Sequence, residues 1–131
     1  MAGLIVFDAG VLIAYLTADD HFHVAARDFM EEFEEFEFAA SILTVAETLV
    51  RPRRSSEAGV AQAALDRLGL LTLALEPSDA PGLAEVREVS GLKMPDAVVI
   101  HSALRHSAEL VTTDRSVARV AAERGVETHL L

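Results

Sequence analysis

The chain has 131 residues, about half of them hydrophobic, enough for one domain with a sizeable core. It has no cysteine, which excludes disulfides, zinc–thiolate sites and cysteine nucleophiles, and no apolar run nears the roughly 20 residues of a membrane span. The net charge of −10 argues against the broad basic face of a typical nucleic-acid binder: the basic residues form only one cluster, Arg51, Arg53 and Arg54, and Lys93 is the single lysine.

The first apolar run, residues 4–7 (LIVF), is continuous, as expected of a strand buried on both faces. It stops at Asp8 and is too short for a signal peptide, so a cytoplasmic location is expected. Asp8-Ala9-Gly10 turns into a short helix over residues 11–16, and Asp19-Asp20 breaks the pattern. The spacing then predicts a helix over residues 24–36, with Phe22, Ala26, Phe29, Met30 and Phe33 on one stripe and the acidic run EEFEEFE (31–37) on a solvated face. Residues 38–41 read as a strand, and Thr44 opens a helix through Val50 that stops near Pro52. A helix over 56–68 ends at Gly69, and a strand follows over 70–75. Ser78 starts a helix with Pro81 in its first turn and Gly91 beyond its end. The remaining elements are a helix over 96–106, a strand over 110–112, a helix over 116–124 closed by Gly125, and a strand over 126–130.

Strands alternating with helices predict an α/β fold whose parallel sheet is covered on both faces, a single unit over residues 1–131. Ligands bind such sheets beyond the carboxyl ends of the strands. Asp8 and Asp114 both directly follow predicted strands, so both belong at that edge.

Asp8, Glu47, Asp96 and Asp114 each have a plain structural reading. The three aspartates could cap the helices that follow them, and Glu47, three residues after Thr44, completes a T-x-x-E capping box. As a set they point further. Ser or Asn caps as well as Asp, and Glu47 sits in an apolar helical stretch (ILTVAETLV), where a carboxylate is costly unless compensated. Two such charges at about 4 Å repel by on the order of 4 kcal/mol at an effective dielectric near 20. Convergence of four therefore calls for a cation or retained protons. Hard oxygen donors suit magnesium or manganese, and the chemistry that follows is phosphodiester hydrolysis.

The segments Val6-Phe7-Asp8-Ala9, Thr44-Val45-Ala46-Glu47, Pro95-Asp96-Ala97 and Val111-Thr112-Thr113-Asp114 resemble, in order and context, those of PIN domains, above all the VapC-type toxins of prokaryotic toxin–antitoxin pairs. The resemblance covers nearly the whole chain. It implies a three-layer α/β/α fold with a mainly parallel five-stranded sheet. The activity it implies is that of a Mg2+- or Mn2+-dependent endoribonuclease, forming a homodimer and inhibited by a cognate antitoxin. Asp8, Glu47, Asp96 and Asp114 are then the catalytic, metal-binding acids. Thr112 orders them through hydrogen bonds. Two positions depart from the pattern: Gly10 stands where many relatives carry a hydroxyl, and Ser116 where many carry a further acid or Asn. Ser116 can reach a metal-bound water but brings no charge.

Other features carry less. His21 and His23 follow an acidic turn and fit a helix start, and His101, His106 and His129 are scattered. Arg51, Arg53 and Arg54 read either as a solvated loop or as an RNA-phosphate contact. The phenylalanine stripe reads as core, or as an apolar anchor for a partner. Two rival functions are a non-catalytic interaction module of the same fold and a phosphoacceptor receiver domain. The receiver needs paired acids after the first strand and a lysine after a late one, whereas Asp8 has no acidic neighbour and Lys93 precedes a helix. The mechanism alone does not choose RNA over DNA; the lack of added DNA-binding elements favours RNA.

Overall fold

The computed structural model describes residues 2–131; residue 1 of the expected unit lies outside them. Five strands form the sheet: β1 (Leu4–Phe7), β2 (Glu37–Ser41), β3 (Leu71–Leu73), β4 (Glu109–Thr112) and β5 (Thr128–Leu130). Between them run α1 (Ala9–Leu16), α2 (His23–Glu32), α3 (Ile42–Arg54), α4 (Ala58–Leu68), α5 (Ala80–Ser90), α6 (Met94–Arg105) and α7 (Arg115–Glu123), with a 3-10 turn at Pro77–Asp79 before α5. The strand order is β3-β2-β1-β4-β5 and every pairing is parallel.

Alternation along the central strands sends side chains to two separate cores. Ile5 and Phe7 pack with Val11, Leu12, Phe29, Met30, Val45 and Leu65, from α1 to α4. Val6 and Leu110 pack with Val86, Ala97, Ile100, Val117 and Val120, from α5 to α7. The expected three-layer α/β/α arrangement with a five-stranded parallel sheet is therefore present. Chain order reverses between β1 and β4: β2 and β3 extend the sheet one way, β4 and β5 the other. This switch point opens a crevice at the strand carboxyl ends.

Several boundaries differ from the sequence reading. The helix expected to reach residue 36 ends at Glu32. Phe33 and Phe36 turn back in a series of aromatic contacts, with Phe29 and Phe33 stacked 4.5 Å apart and Phe33 and Phe36 at 5.5 Å. Ring burial outweighs continuing a helix whose next residues are mostly glutamate. The phenylalanine stripe is thus core and not a free anchor: Phe29 is buried, and the half-buried Phe22 and Phe33 pack against the same cluster. Truncating Phe29 to Ala should cost about 3–5 kcal/mol. α3 runs through Pro52 to Arg54. The ring removes one donor, but the Ser55 amide reaches the Arg51 carbonyl at 3.2 Å and the Glu57 amide the Pro52 carbonyl at 2.7 Å. Ser56, at φ +60°, separates α3 from α4. The outer strands β3 and β5 are shorter than expected because each has a partner on one side only.

Candidate active site

β1 and β4 lie side by side, and the Asp8 amide extends their ladder by donating to the Val111 carbonyl at 3.0 Å. That bond fixes Asp8 at the carboxyl edge, as the N-cap of α1. Its Oδ1 accepts from the Ala9 amide at 2.8 Å and its Oδ2 from the Thr112 hydroxyl at 2.6 Å. Thr112 is fully buried, and its Oγ1 also accepts from the Asp114 amide at 3.0 Å. One hydroxyl thereby ties the acid after β1 to the acid after β4. Asp114 caps α7 through Oδ1, which accepts from the Ser116 and Val117 amides. For these two aspartates the capping and functional readings coexist.

Glu47 and Asp96 do not cap. The N-cap of α3 is Ser41, whose hydroxyl oxygen accepts from the Thr44 amide, so the T-x-x-E capping box does not form. Glu47 is instead half-buried, between the buried Thr44 and Thr48 on either side of it in α3. The N-cap of α6 is Lys93, which places Asp96 in the first helical turn, where the helix dipole favours a negative charge.

The electrostatics link all four acids. Burial pushes the Asp8 carboxyl above its ordinary range and the Asp114 charge adds to this, while bonds from Thr112 and Ala9 pull it back. Burial also raises Glu47, with further increments from Asp8 and Asp96. Asp96 is raised by burial, then by Asp8 and Asp114, and is lowered by Lys93. The charges of Asp8, Asp96 and Asp114 are thus each felt by at least one other acid of the set, and Glu47 feels those of Asp8 and Asp96. Among the described residues, no three acid or histidine side chains are arranged so that they could hold an ion as they stand. Carboxylates without a counter-charge repel, and magnesium keeps several waters and needs only one or two carboxylates, so an open cluster fits it better than a closed cage. The donor set is entirely oxygen, which suits a hard cation.

A Cβ on Gly10 would lie 2.9 Å from Thr113 Oγ1, so a side chain at position 10 would require the Thr113 hydroxyl to turn away. Ser116 is exposed and contributes its amide to Asp114. Arg51, Arg53 and Arg54 occupy the last turn of α3, where cations complement the helix dipole. They lie beyond Glu47 by a rise of about 6 to 10 Å along the helix. Three of the five histidines bond within the scaffold: His23 Nδ1 is 2.8 Å from the Ala14 carbonyl, His101 meets Asp79 and His129 meets Glu109. Only its spacing, three residues before Asp96, marks Lys93 in the sequence as part of this neighbourhood.

Residues 5–123 match the PIN domain family. The chain belongs to that family. No curated protein sequence matches the chain closely enough to show kinship. Among solved structures it is similar to a toxin–antitoxin complex from Klebsiella pneumoniae (TM-score 0.69, 23% identity, covering 84% of this chain and 86% of that one). It is also similar to VapBC2 from Rickettsia felis bound to a DNA fragment from its promoter (0.71, 16%, 97% and 98%). A third is VapC20 from Mycobacterium tuberculosis, a toxin that cleaves the sarcin–ricin loop (0.67, 17%, 94% and 97%). At these identities the likeness is one of fold. Within this PIN domain, the switch point between β1 and β4 carries Asp8 and Asp114.

Proposed function

We propose that this PIN domain is a metal-dependent endoribonuclease acting in the cytoplasm as the toxin of a toxin–antitoxin pair. The observation that carries the reading is the placement of Asp8 and Asp114 side by side at the strand carboxyl ends, tied together by the buried Thr112 hydroxyl, with the charges of Asp8 and Asp96 felt at Glu47. The toxin–antitoxin complexes among its structural neighbours support the same reading.

Asp8, Glu47, Asp96 and Asp114 would hold magnesium or manganese, which would supply an activated water and neutralise charge developing on the phosphodiester. The chain's own residues prepare that site. Thr112 holds the Asp8 carboxylate through its hydroxyl hydrogen and the Asp114 backbone through its oxygen, so both acids keep their positions whether or not they are protonated. Asp114 turns Oδ1 to the α7 amides. Glu47 and Asp96 take charge more readily once a cation offsets their neighbours.

An antitoxin would place a basic side chain among the carboxylates, where an Arg satisfies the same oxygens as the cation. Its apolar anchor needs a surface other than the phenylalanines. A groove of about 610 Å³ between α1, the end of α3 and α4, lined by Tyr15, Leu16, Pro52, Val60 and Ala61, offers one. Homodimerisation has support in the row Ile42, Ala46 and Val50, exposed at four-residue spacing along α3.

The test is cleavage of single-stranded RNA and DNA of matched sequence with manganese, with and without chelator. Cleavage of RNA that chelator stops is the expected result. Binding of RNA without any turnover would favour the interaction module instead.

A further inference from the structure

Two helical glycines receive another residue's side chain close against their backbone. At Gly82 in α5 it is the His101 ring, 2.5 Å from where a Cβ would stand, and that ring is bonded to Asp79. At Gly10, in the first turn of α1, it is the Thr113 hydroxyl, at 2.9 Å. Among the described residues this hydroxyl has no hydrogen-bond partner, although its neighbours Thr112 and Asp114 are both bonded. Thr113 is half-buried, and no buried side-chain oxygen among the described residues lacks a partner, so this oxygen faces solvent. Its place is the switch point itself. Thr113 lies between Thr112 and Asp114 at the end of β4, and Gly10 lies two residues past Asp8 at the end of β1. The Thr113 side chain therefore leans from one acid-bearing strand end onto the other.

We propose that Thr113 is a substrate-positioning residue, its hydroxyl donating a hydrogen bond to a phosphate oxygen of RNA held beside Asp8 and Asp114. This rests on the nuclease reading above. Ionised carboxylates only accept hydrogen bonds, so a phosphate brought to these acids needs a donor from elsewhere. The Thr112 hydrogen is committed to Asp8, and Ser116 is exposed in the first turn of α7. Thr113 is the hydroxyl wedged where the two strand ends meet, with its hydrogen uncommitted. A neutral donor to an ionised oxygen makes one of the stronger hydrogen bonds, and it brings no positive charge to rival a metal ion for the acids. The glycine opposite fits this role: it is a poor helix former, and at position 10 it leaves the hydroxyl its place. The competing role for Thr113 is to fill space at the start of α1, which a valine of the same shape would do as well.

The experiment is fluorescence anisotropy of a labelled, mixed-sequence single-stranded RNA with calcium in place of manganese, beside calorimetric manganese binding and thermal melts. Thr113→Val keeps the shape and loses the donor. It should weaken RNA binding about tenfold, the worth of one hydrogen bond to a charged group, and leave manganese affinity within about twofold. Thr113→Ser, which keeps the hydroxyl, should stay within about threefold of wild type. Gly10→Ala, which pushes the hydroxyl aside, should weaken RNA binding about as much as Thr113→Val. In a Thr113→Ala background the added methyl meets no hydroxyl, so Gly10→Ala should then cost nothing more; this non-additivity is the mark of a shared contact. A folded Thr113→Val protein with wild-type RNA affinity overturns the proposal. So does an equal loss from Gly10→Ala in both backgrounds, or a manganese affinity that falls along with RNA binding. If wild type binds RNA in calcium but does not cut it in manganese, the nuclease reading fails and the anisotropy still decides the role of Thr113. If wild type neither binds nor cuts, both fail.

Discussion

Asp79 is more deeply buried than Asp8, at 3% exposure against a half-buried position, yet its carboxyl sits below the ordinary range while that of Asp8 sits above it. Burial is the largest influence on Asp8, whereas at Asp79 the bonds from the Glu76 amide and His101 outweigh it. Asp79 accepts from the Glu76 amide at 2.7 Å, from His101 Nε2 at 2.9 Å and from Arg105 Nη1 at 2.8 Å. Even the backbone makes room for this corner: a Cβ on Gly82 would fall 2.5 Å from the His101 ring, so only glycine lets the imidazole lie there. Asp8 has two neutral donors, Ala9 and Thr112, and its charged neighbours are other acids. The chain thus supplies its own counter-charge to Asp79, where an acid joins α5 to α6, and none to Asp8. On the proposed function, burial alone does not single out a metal-binding acid; burial without an internal cation does.

The sharpest way to break this comparison is to neutralise one acid of each kind. Asp8→Asn keeps the cap and the shape but loses the charge. Single-turnover RNA cleavage should fall about 100-fold or more, with the melting temperature unchanged or slightly higher, since one repelling carboxylate is gone. Asp79→Ala should do the opposite: a melting temperature lower by several degrees, because Arg105 and His101 lose a buried partner, with metal-dependent cleavage kept by the folded fraction.

A subtler contrast is in pH. Asp8, Glu47 and Asp96 are raised in the folded state, so between their ordinary values (3.8 to 4.5) and their raised ones the folded chain holds more protons than the unfolded chain. Stability of the metal-free protein should therefore fall as pH rises through that window. Asp79 is lowered, so its contribution is fully present above about 3.8 and is lost as pH falls through its folded value. Thermal melts against pH should show a decline above about 4.5 that Asp8→Asn reduces and saturating manganese abolishes. The smallest effect should come from Ser116→Ala, within about twofold in rate, because the bond to Asp114 comes from the Ser116 amide, which the substitution keeps.

Much of this was readable in the residues. The unbroken LIVF run marked β1 as a central parallel strand, and Asp8 and Asp114 were readable as lying at the strand carboxyl edge, because strand ends are local features. The roles of Glu47 and Asp96 were not separable from capping by spacing alone. That needed the position of the true caps, Ser41 and Lys93. The Asp79–His101–Arg105 corner was invisible, since it joins residues 22 and 26 apart in sequence with no periodicity to announce them. Periodicity placed Phe29 and Phe33 on one face correctly but could not say whether that face meets the chain's own core or a partner.

Calorimetric titration of manganese into wild-type, Asp8→Asn and Asp79→Asn protein bears most directly on the claim that uncompensated acids, and not merely buried ones, form the metal site. Wild type and folded Asp79→Asn should bind with the same affinity. Asp8→Asn should bind at least about tenfold more weakly, the loss that even a partner outside the ligand shell produces. Equal manganese binding by wild type and Asp8→Asn, or none by wild type, would contradict it.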